Sequence, residues 1–327
     1  MSLPRCNGKT VLITGINGYI ASRIGHDLLK KGYKIRGTSR SKPSTEALLN
    51  GAYKEFAGRV ETISVPDMTV PGAFDEAVKG VTAIVHTASP LNYQLKTWDD
   101  FVTPAVNGNI CVLTSALKHA GPQLEAFVMT SSLAATISHP NRKRYKSTEK
   151  DWNNWAESIA QSLGDKADHT ILYPASKAAA EKALWKFRDQ YNPDWSIIAI
   201  NPGVVAGPPS KPPLPLRPQR NPQTLLLALH RRDAHHPAHP RHRLLRRRAR
   251  RLRHARLAAA DVLRRAYPDR SCIPVGSPGA DYEEGYAWFS GGMSFCGDKA
   301  RKILGREYVG FEQSVVDTAR VFERMER

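Results

Sequence analysis

The stretch Thr10-Val-Leu-Ile-Thr-Gly-Ile-Asn-Gly-Tyr-Ile-Ala21 decides the fold. Residues 10–14 form a short apolar, β-branched run, as a strand buried on both faces of a parallel sheet requires. Residues 19–31 then carry Ile20, Ile24, Leu28 and Leu29 at helical spacing, with Gly32 where a C-cap belongs. The turn between them reads G-x-x-G-x-x-A. Gly15 permits the sharp reversal, Gly18 lets backbone approach a pyrophosphate with no Cβ in the way, and Ala21 lets the helix pack near the strand. A helix opening there aims free N–H groups and its positive dipole end at phosphates. Two glycines also occur in strand–helix turns that bind nothing. Their place at the head of an alternating chain favours a dinucleotide grip.

Further strands are expected at residues 34–39, 61–65, 83–87, 126–130 and 196–201. Helical patterns lie between them, notably at 102–119 and 170–191. This alternation predicts an α/β fold, a doubly wound parallel sheet of Rossmann type. The expected division is a dinucleotide-binding domain over residues 1–205 and a smaller C-terminal substrate domain over 206–327. The length of 327 residues fits about two domains.

With 41% apolar and 24% charged residues, the composition is that of a folded globular protein. Cys6, Cys111, Cys272 and Cys296 lie far apart, so neither a metal site nor a disulfide framework is expected, and a reducing compartment fits. No apolar run approaches the ~20 residues of a membrane span. Residues 1–9 lead into the first strand without a signal-peptide core. A cytoplasmic location is the expectation.

The second strand runs Lys34-Ile-Arg-Gly-Thr-Ser-Arg40-Ser-Lys42, and no acid occurs between Asp27 and Glu46. A site selecting NAD places an acid about 20 residues after the glycines, to accept from the ribose 2′-OH. Here Arg40 can fork onto a 2′-phosphate, with Lys42 adding a point charge, which points to NADPH/NADP+. The plainer alternative is two solvated surface cations.

Tyr173-Pro-Ala-Ser-Lys177 is read as opening an Ala-rich helix. Positions i and i+4 share a helical face, so Tyr173 and Lys177 point the same way. A phenol of pKa ~10 becomes a usable proton donor and acceptor when an ammonium stabilises its anion. Met129-Thr-Ser-Ser132 ends the fifth strand, at the carboxyl edge where α/β ligands bind. A serine hydroxyl there can hold a carbonyl oxygen and stabilise the alkoxide that develops. Alternation puts Ser131 and Ser132 on opposite faces, and Ser132 is the candidate. A Tyr and a Lys on a helix are ordinarily a half-buried ring and a solvated charge. The order of glycine turn, basic second strand, strand-end serines and Tyr–Lys helix carries the functional reading.

These motifs together resemble the extended short-chain dehydrogenases/reductases. The similarity is to the branch of fungal NADPH-dependent aldehyde, ketone and methylglyoxal reductases and plant dihydroflavonol reductases. Carrying it besides the motifs above are His86-Thr-Ala-Ser-Pro90, Pro104-Ala-Val-Asn-Gly108, Asp151-Trp-Asn-Asn-Trp155 and Asn201-Pro-Gly-Val-Val-Ala-Gly-Pro208. The similarity runs over about residues 8–209 and returns at about 272–327. It implies that Gly15, Gly18 and Tyr19 hold the pyrophosphate, and Arg40 and Lys42 the 2′-phosphate. Asp67 would lie near the adenine, although a surface strand-end Asp explains it equally well. Thr87, Ala88 and Ser89 would line the cofactor channel, and Pro202, Gly203 and Val204 approach the nicotinamide. Ser132, Tyr173 and Lys177 would do the chemistry. Ser89, Leu91, Leu133 and Val205 would border the substrate.

The net charge of +18 is local. Residues 211–270 hold 17 Lys and Arg against Asp233, Asp261 and Asp269, leaving +4 for the rest. The segment contains no Gly, Glu, Ile, Phe or Trp, lacks clean periodicity, and does not show the strand-to-helix pattern of the family. A reading-frame slip in a GC-rich gene, divergence in a loop, and a genuine basic arm each account for it. Its single aromatic, Tyr267, makes no stacking platform, and nucleic acid is not the expected partner.

The function expected is reduction of an aldehyde or ketone by an NADPH-dependent oxidoreductase, with Tyr173 as general acid. A small carbonyl compound is the expected partner, and the chain a monomer or homodimer. The alternatives are an alcohol or hydroxysteroid-type dehydrogenase, an epimerase, or a catalytically impaired NADPH-binding protein.

Overall fold

Alternation along β1 (Thr10–Thr14) sends Leu12 to one face of a sheet and Val11 and Ile13 to the other, and all three are buried. The computed structural model describes residues 4–89, 97–137, 146–203, 205, 265–266, 294–295, 297–305, 307–309, 313, 316–317 and 320. After β1 come α1 (Tyr19–Lys30), β2 (Lys34–Ser39), α2 (Pro43–Leu49), β3 (Val60–Ser64), α3 (Asp75–Val78), β4 (Ala83–His86) and α4 (Trp98–His119). There follow β5 (Ala126–Thr130), β6 (Lys146–Ser147), α5 (Asn154–Leu163), α6 (His169–Tyr191), β7 (Ser196–Ile200), β8 (Ser294–Phe295) and a last helix, α7 (Asp298–Leu304).

Six strands form one parallel sheet in the order β3-β2-β1-β4-β5-β7. This is the doubly wound arrangement, and the strand order reverses between β1 and β4, where such sheets open a crevice at their carboxyl ends. Leu12, Ile84 and Phe127 build the core on the face of α3, α4 and α6, while Val11, Ile13 and Ile35 build the one under α1. Phe101, Ala156 and Leu172 join α4, α5 and α6 in a third cluster. By internal contacts the chain divides into Met1–Val205 with Gly291–Gly297, and Ala206–Ser290 with Asp298–Arg327. Among the described residues no helix is long and apolar enough to cross a membrane.

Several boundaries differ from expectation. β3 starts at Val60 rather than 61. α4 begins at Trp98, a turn early, because the Thr97 side chain caps it by accepting from Asp100 N at 3.1 Å. α6 begins at His169, capped by Asp168 accepting from Thr170 N at 2.7 Å. Tyr173 therefore does not open its helix but stands in the second turn. Pro174 beside it removes one backbone N–H from the ladder.

Candidate active site

The crevice at the strand-order reversal is a cleft of about 560 Å³ lined by Gly15, Gly18, Arg40, Asp67, Thr87, Ala88 and Ser89, among others. Gly15 has φ +66°, a conformation that favours glycine, and a Cβ there would sit 3.3 Å from Cα of Ala88. A Cβ on Gly18 would come 3.1 Å from the carbonyl oxygen of Gly15. The bare backbone at both positions fits close approach of a pyrophosphate. Arg40 is exposed at the cleft edge just past β2. The Asp67 carboxylate accepts from Thr69 N at 2.8 Å and Thr69 Oγ1 at 2.7 Å, which holds it below its ordinary pKa. Tyr19, at the start of α1, and Lys42, just before α2, are exposed and do not line this cleft.

The far wall of the cleft hangs on Thr14, which the sequence reading gave no role. Its Oγ1 accepts from Thr87 N at 3.1 Å and Ala88 N at 3.0 Å. With both lone pairs used, its hydroxyl hydrogen donates to Nδ1 of buried His86, 2.9 Å away, leaving the imidazole proton on Nε2. Burial, helped by the Lys177 charge, takes the His86 pKa down to about 3, so the ring stays neutral. Thr87 Oγ1 in turn donates to the carbonyl of Thr14.

Tyr173 and Lys177 lie one turn apart on α6, with Lys177 Nζ 6.0 Å from the Tyr173 ring centre. Lys177 is 8% exposed, and its ammonium donates toward Ser89 Oγ at 3.5 Å, the outer limit of a hydrogen bond. Lys177 thus meets a residue of the cleft lining. Burial draws its pKa down to about 8, against the opposing pull of Glu181.

Ser131 and Ser132 lie just past β5 and do different things. Ser131 Oγ donates to the Glu181 carboxylate at 2.5 Å. Ser132 caps the 3-10 turn Leu133–Ala135, its Oγ accepting from Ala134 N at 3.1 Å, and that turn packs on α6. Asn153 braces the turn from behind, donating from Nδ2 to Ala134 O at 2.9 Å and from its backbone to Ala135 O at 2.8 Å. Leu133 N donates to Pro202 O at 2.9 Å, and a Cβ on Gly203 would lie 3.3 Å from Leu133 Cδ1. The strand ends bearing Ser132 and Pro202–Gly203 are thereby knitted together. Val205 is exposed. Leu91 and Val204 lie outside the described residues, as do all of residues 211–270 except Arg265 and Ala266. Among the described residues no group of three or more His, Cys, Asp or Glu is placed to hold a metal ion.

Residues 11–237 match the sequence profile of the NAD dependent epimerase/dehydratase family. The chain belongs to that family. The matched stretch covers the sheet and the cleft, and ends inside the basic segment. Aldehyde reductase 2 of Sporidiobolus salmonicolor is 38% identical over 203 residues, 61% of this chain and 58% of that protein. The NADPH-dependent methylglyoxal reductase GRE2 of Saccharomyces cerevisiae is 34% identical over 210 residues, 61% and 59% of the two chains. The chain thus spans less than two thirds of the length of these curated relatives. A crystal structure of yeast methylglyoxal/isovaleraldehyde reductase Gre2 complexed with NADPH superposes with a TM-score of 0.73 at 26% identity, covering 97% of this chain and 99% of that one.

Asn201, Glu181, Thr14, His86 and Asn153 are the site-supporting residues that the sequence reading left without roles. Asn201 and His86 stood inside quoted motifs, and Asn153 inside the Trp-Asn-Asn-Trp run. For Thr14, His86 and Asn201 the signal is a polar residue at or just past the end of an apolar strand, whereas Glu181, inside α6, and Asn153, capping α5, carry no such mark.

Proposed function

We propose that this chain is an NADPH-dependent carbonyl reductase that reduces an aldehyde or ketone to an alcohol. The observation that carries the reading is Lys177, a buried ammonium one helical turn from Tyr173 and in contact with the lining of a glycine-walled cleft. The aldehyde and methylglyoxal reductase activities of the fungal relatives support it, as does the NADPH bound to yeast Gre2.

Gly15, Gly18 and Tyr19 would hold the pyrophosphate, and Arg40 and Lys42 the 2′-phosphate. Asp67 would stand near the adenine, Thr87 and Ala88 along the channel, and Pro202, Gly203 and Val204 at the nicotinamide end. Bound NADPH supplies the hydride. Ser132 Oγ already accepts from Ala134 N, so its own hydrogen is free to bond the substrate carbonyl oxygen. As the carbonyl carbon gains the hydride, its oxygen takes the phenolic proton of Tyr173, and the Lys177 ammonium stabilises the phenolate left behind. Charge balances: one hydride and one proton make one alcohol. Leu91, Leu133, Ser89 and Val205 would border the substrate. On this reading residues 1–205 hold the dinucleotide, residues 206–327 complete the substrate side, and the chain works in the cytoplasm as a monomer or homodimer.

The test is NADPH oxidation over a panel of aliphatic, aromatic and α-keto carbonyl compounds, with the product identified. One alcohol per NADPH consumed supports the reductase. Conversion without net NADPH consumption points to epimerase chemistry. Tight NADPH binding without turnover supports the impaired cofactor binder that the unusual composition of residues 211–270 suggests.

A further inference from the structure

The α6 face that carries Tyr173 and Lys177 continues one turn further to Glu181, which is 5% exposed. A carboxylate is costly to bury unless it is thoroughly bonded. Here Oε2 accepts from Ser131 Oγ at 2.5 Å and Asn201 Nδ2 at 2.7 Å, and Oε1 accepts from Trp185 Nε1 at 3.4 Å. Asn201 Nδ2 also donates to the carbonyl oxygen of Ser132 at 3.1 Å. Ser131 N donates to Ile200 O at 2.8 Å. One carboxylate therefore grips Ser132 from both sides, through the preceding side chain and through the amide bound to its carbonyl. It joins three elements, the ends of β5 and β7 and the helix α6.

We infer that Glu181 is the positioning residue of this site, fixing Ser132 relative to Tyr173 and Lys177 and serving as the counter-charge of the buried ammonium. The roles of Ser132 and Lys177 in this statement rest on the reductase reading; the grip itself rests on the hydrogen bonds. A neutral acceptor would suffice as a strut, and the charge is the feature that needs a reason. Among the described residues, the titratable groups facing Lys177 are Tyr173 and Glu181 on α6 and neutral His86 on β4, with Ser89 as its polar contact. Of these Glu181 is the carboxylate, and it opposes the effect of burial on Lys177.

The experiment compares wild type with Glu181→Gln and Glu181→Asp. Competitive acetylation of the cofactor-free protein, read by peptide mass spectrometry, gives the titration midpoint of Lys177. Steady-state kinetics and NADPH binding give the rest. Gln keeps one acceptor oxygen but no charge. Its Lys177 midpoint is expected to fall by about one pH unit, taking the alkaline limb of kcat with it. Its kcat is expected to drop about tenfold or more through misplacement of Ser132, with substrate KM and NADPH Kd within about twofold of wild type. Asp restores the charge and should return the midpoint toward wild type. An unchanged Lys177 midpoint in Glu181→Gln, or a loss of stability with kcat untouched, would reduce Glu181 to a strut and overturn the inference. If wild type reduces no carbonyl compound, the reductase reading fails, while the midpoint in the cofactor-free protein still decides the role of Glu181.

Discussion

In the cofactor-free protein, burial takes the Lys177 ammonium from 10.5 down to about 8 even though Glu181 pulls the other way. That gap corresponds to about 3 kcal/mol of strain from holding the charge in the fold at pH 7. Below pH 8 the lysine is protonated in folded and unfolded chains alike, and the full penalty applies. Between about 8 and 10.5 the folded state has released a proton that the unfolded chain keeps, so stability rises with pH across this window. Lys177→Met keeps the stem and removes the charge. At pH 7 it should gain up to about 3 kcal/mol from desolvation no longer needed. That gap already contains the pull of Glu181, so only loss of the Ser89 contact reduces the gain, leaving a net of about 2 kcal/mol. Activity should fall by about 10²–10⁴, because the phenolate loses its counter-ion. Urea denaturation of both proteins at neutral pH, pH 8.5 and pH 10 checks the sign, since the advantage of the variant must shrink as the wild type discharges. A variant less stable than wild type at neutral pH, or a difference indifferent to pH, would refute the reasoning.

Arg40→Ala should weaken NADPH binding about 10- to 100-fold and leave NADH binding within about twofold, since a charge-assisted bond to phosphate is worth about 1.5–3 kcal/mol; titration of both nucleotides reads it. His86, held near 3 by burial, binds a proton in the unfolded chain that the fold refuses. Wild-type stability should therefore fall as pH drops from about 6.5 toward 3, with the slope of one proton for this group, and His86→Gln should flatten the slope. Thr14→Val keeps the shape but strands the N–H groups of Thr87 and Ala88. It should cost about 1–3 kcal/mol per stranded group that stays dry, and weaken NADPH binding at the cleft wall, as denaturation and nucleotide titration will show.

The framework was legible because it is written in local chemistry. β1, β2 and β5 have the ends expected from their β-branched runs, and the Gly15 turn follows β1 where a crevice-forming sheet needs it. Tyr173 and Lys177 were legible because an i, i+4 pair needs only a helix to bring it together. Caps moved boundaries: Thr97 and Asp168 start α4 and α6 earlier than the apolar pattern suggests. The supporting shell was not legible, because it is made across the fold. Glu181 meets Ser131 from fifty residues away, and Thr14 meets His86 from 72. No local pattern predicts such pairs. Tyr19 and Lys42 are exposed and outside the cleft lining, so the proposal that they touch the pyrophosphate and the 2′-phosphate rests on their motif positions.

The most direct test of the account is Tyr173→Phe, which removes one oxygen from a half-buried ring. NADPH binding should stay within about twofold of wild type, while carbonyl reduction falls by about 10³ or more, because the proton for the alkoxide has lost its donor. A Phe variant that turns over carbonyl substrate at a rate near wild type would contradict the assignment of this site.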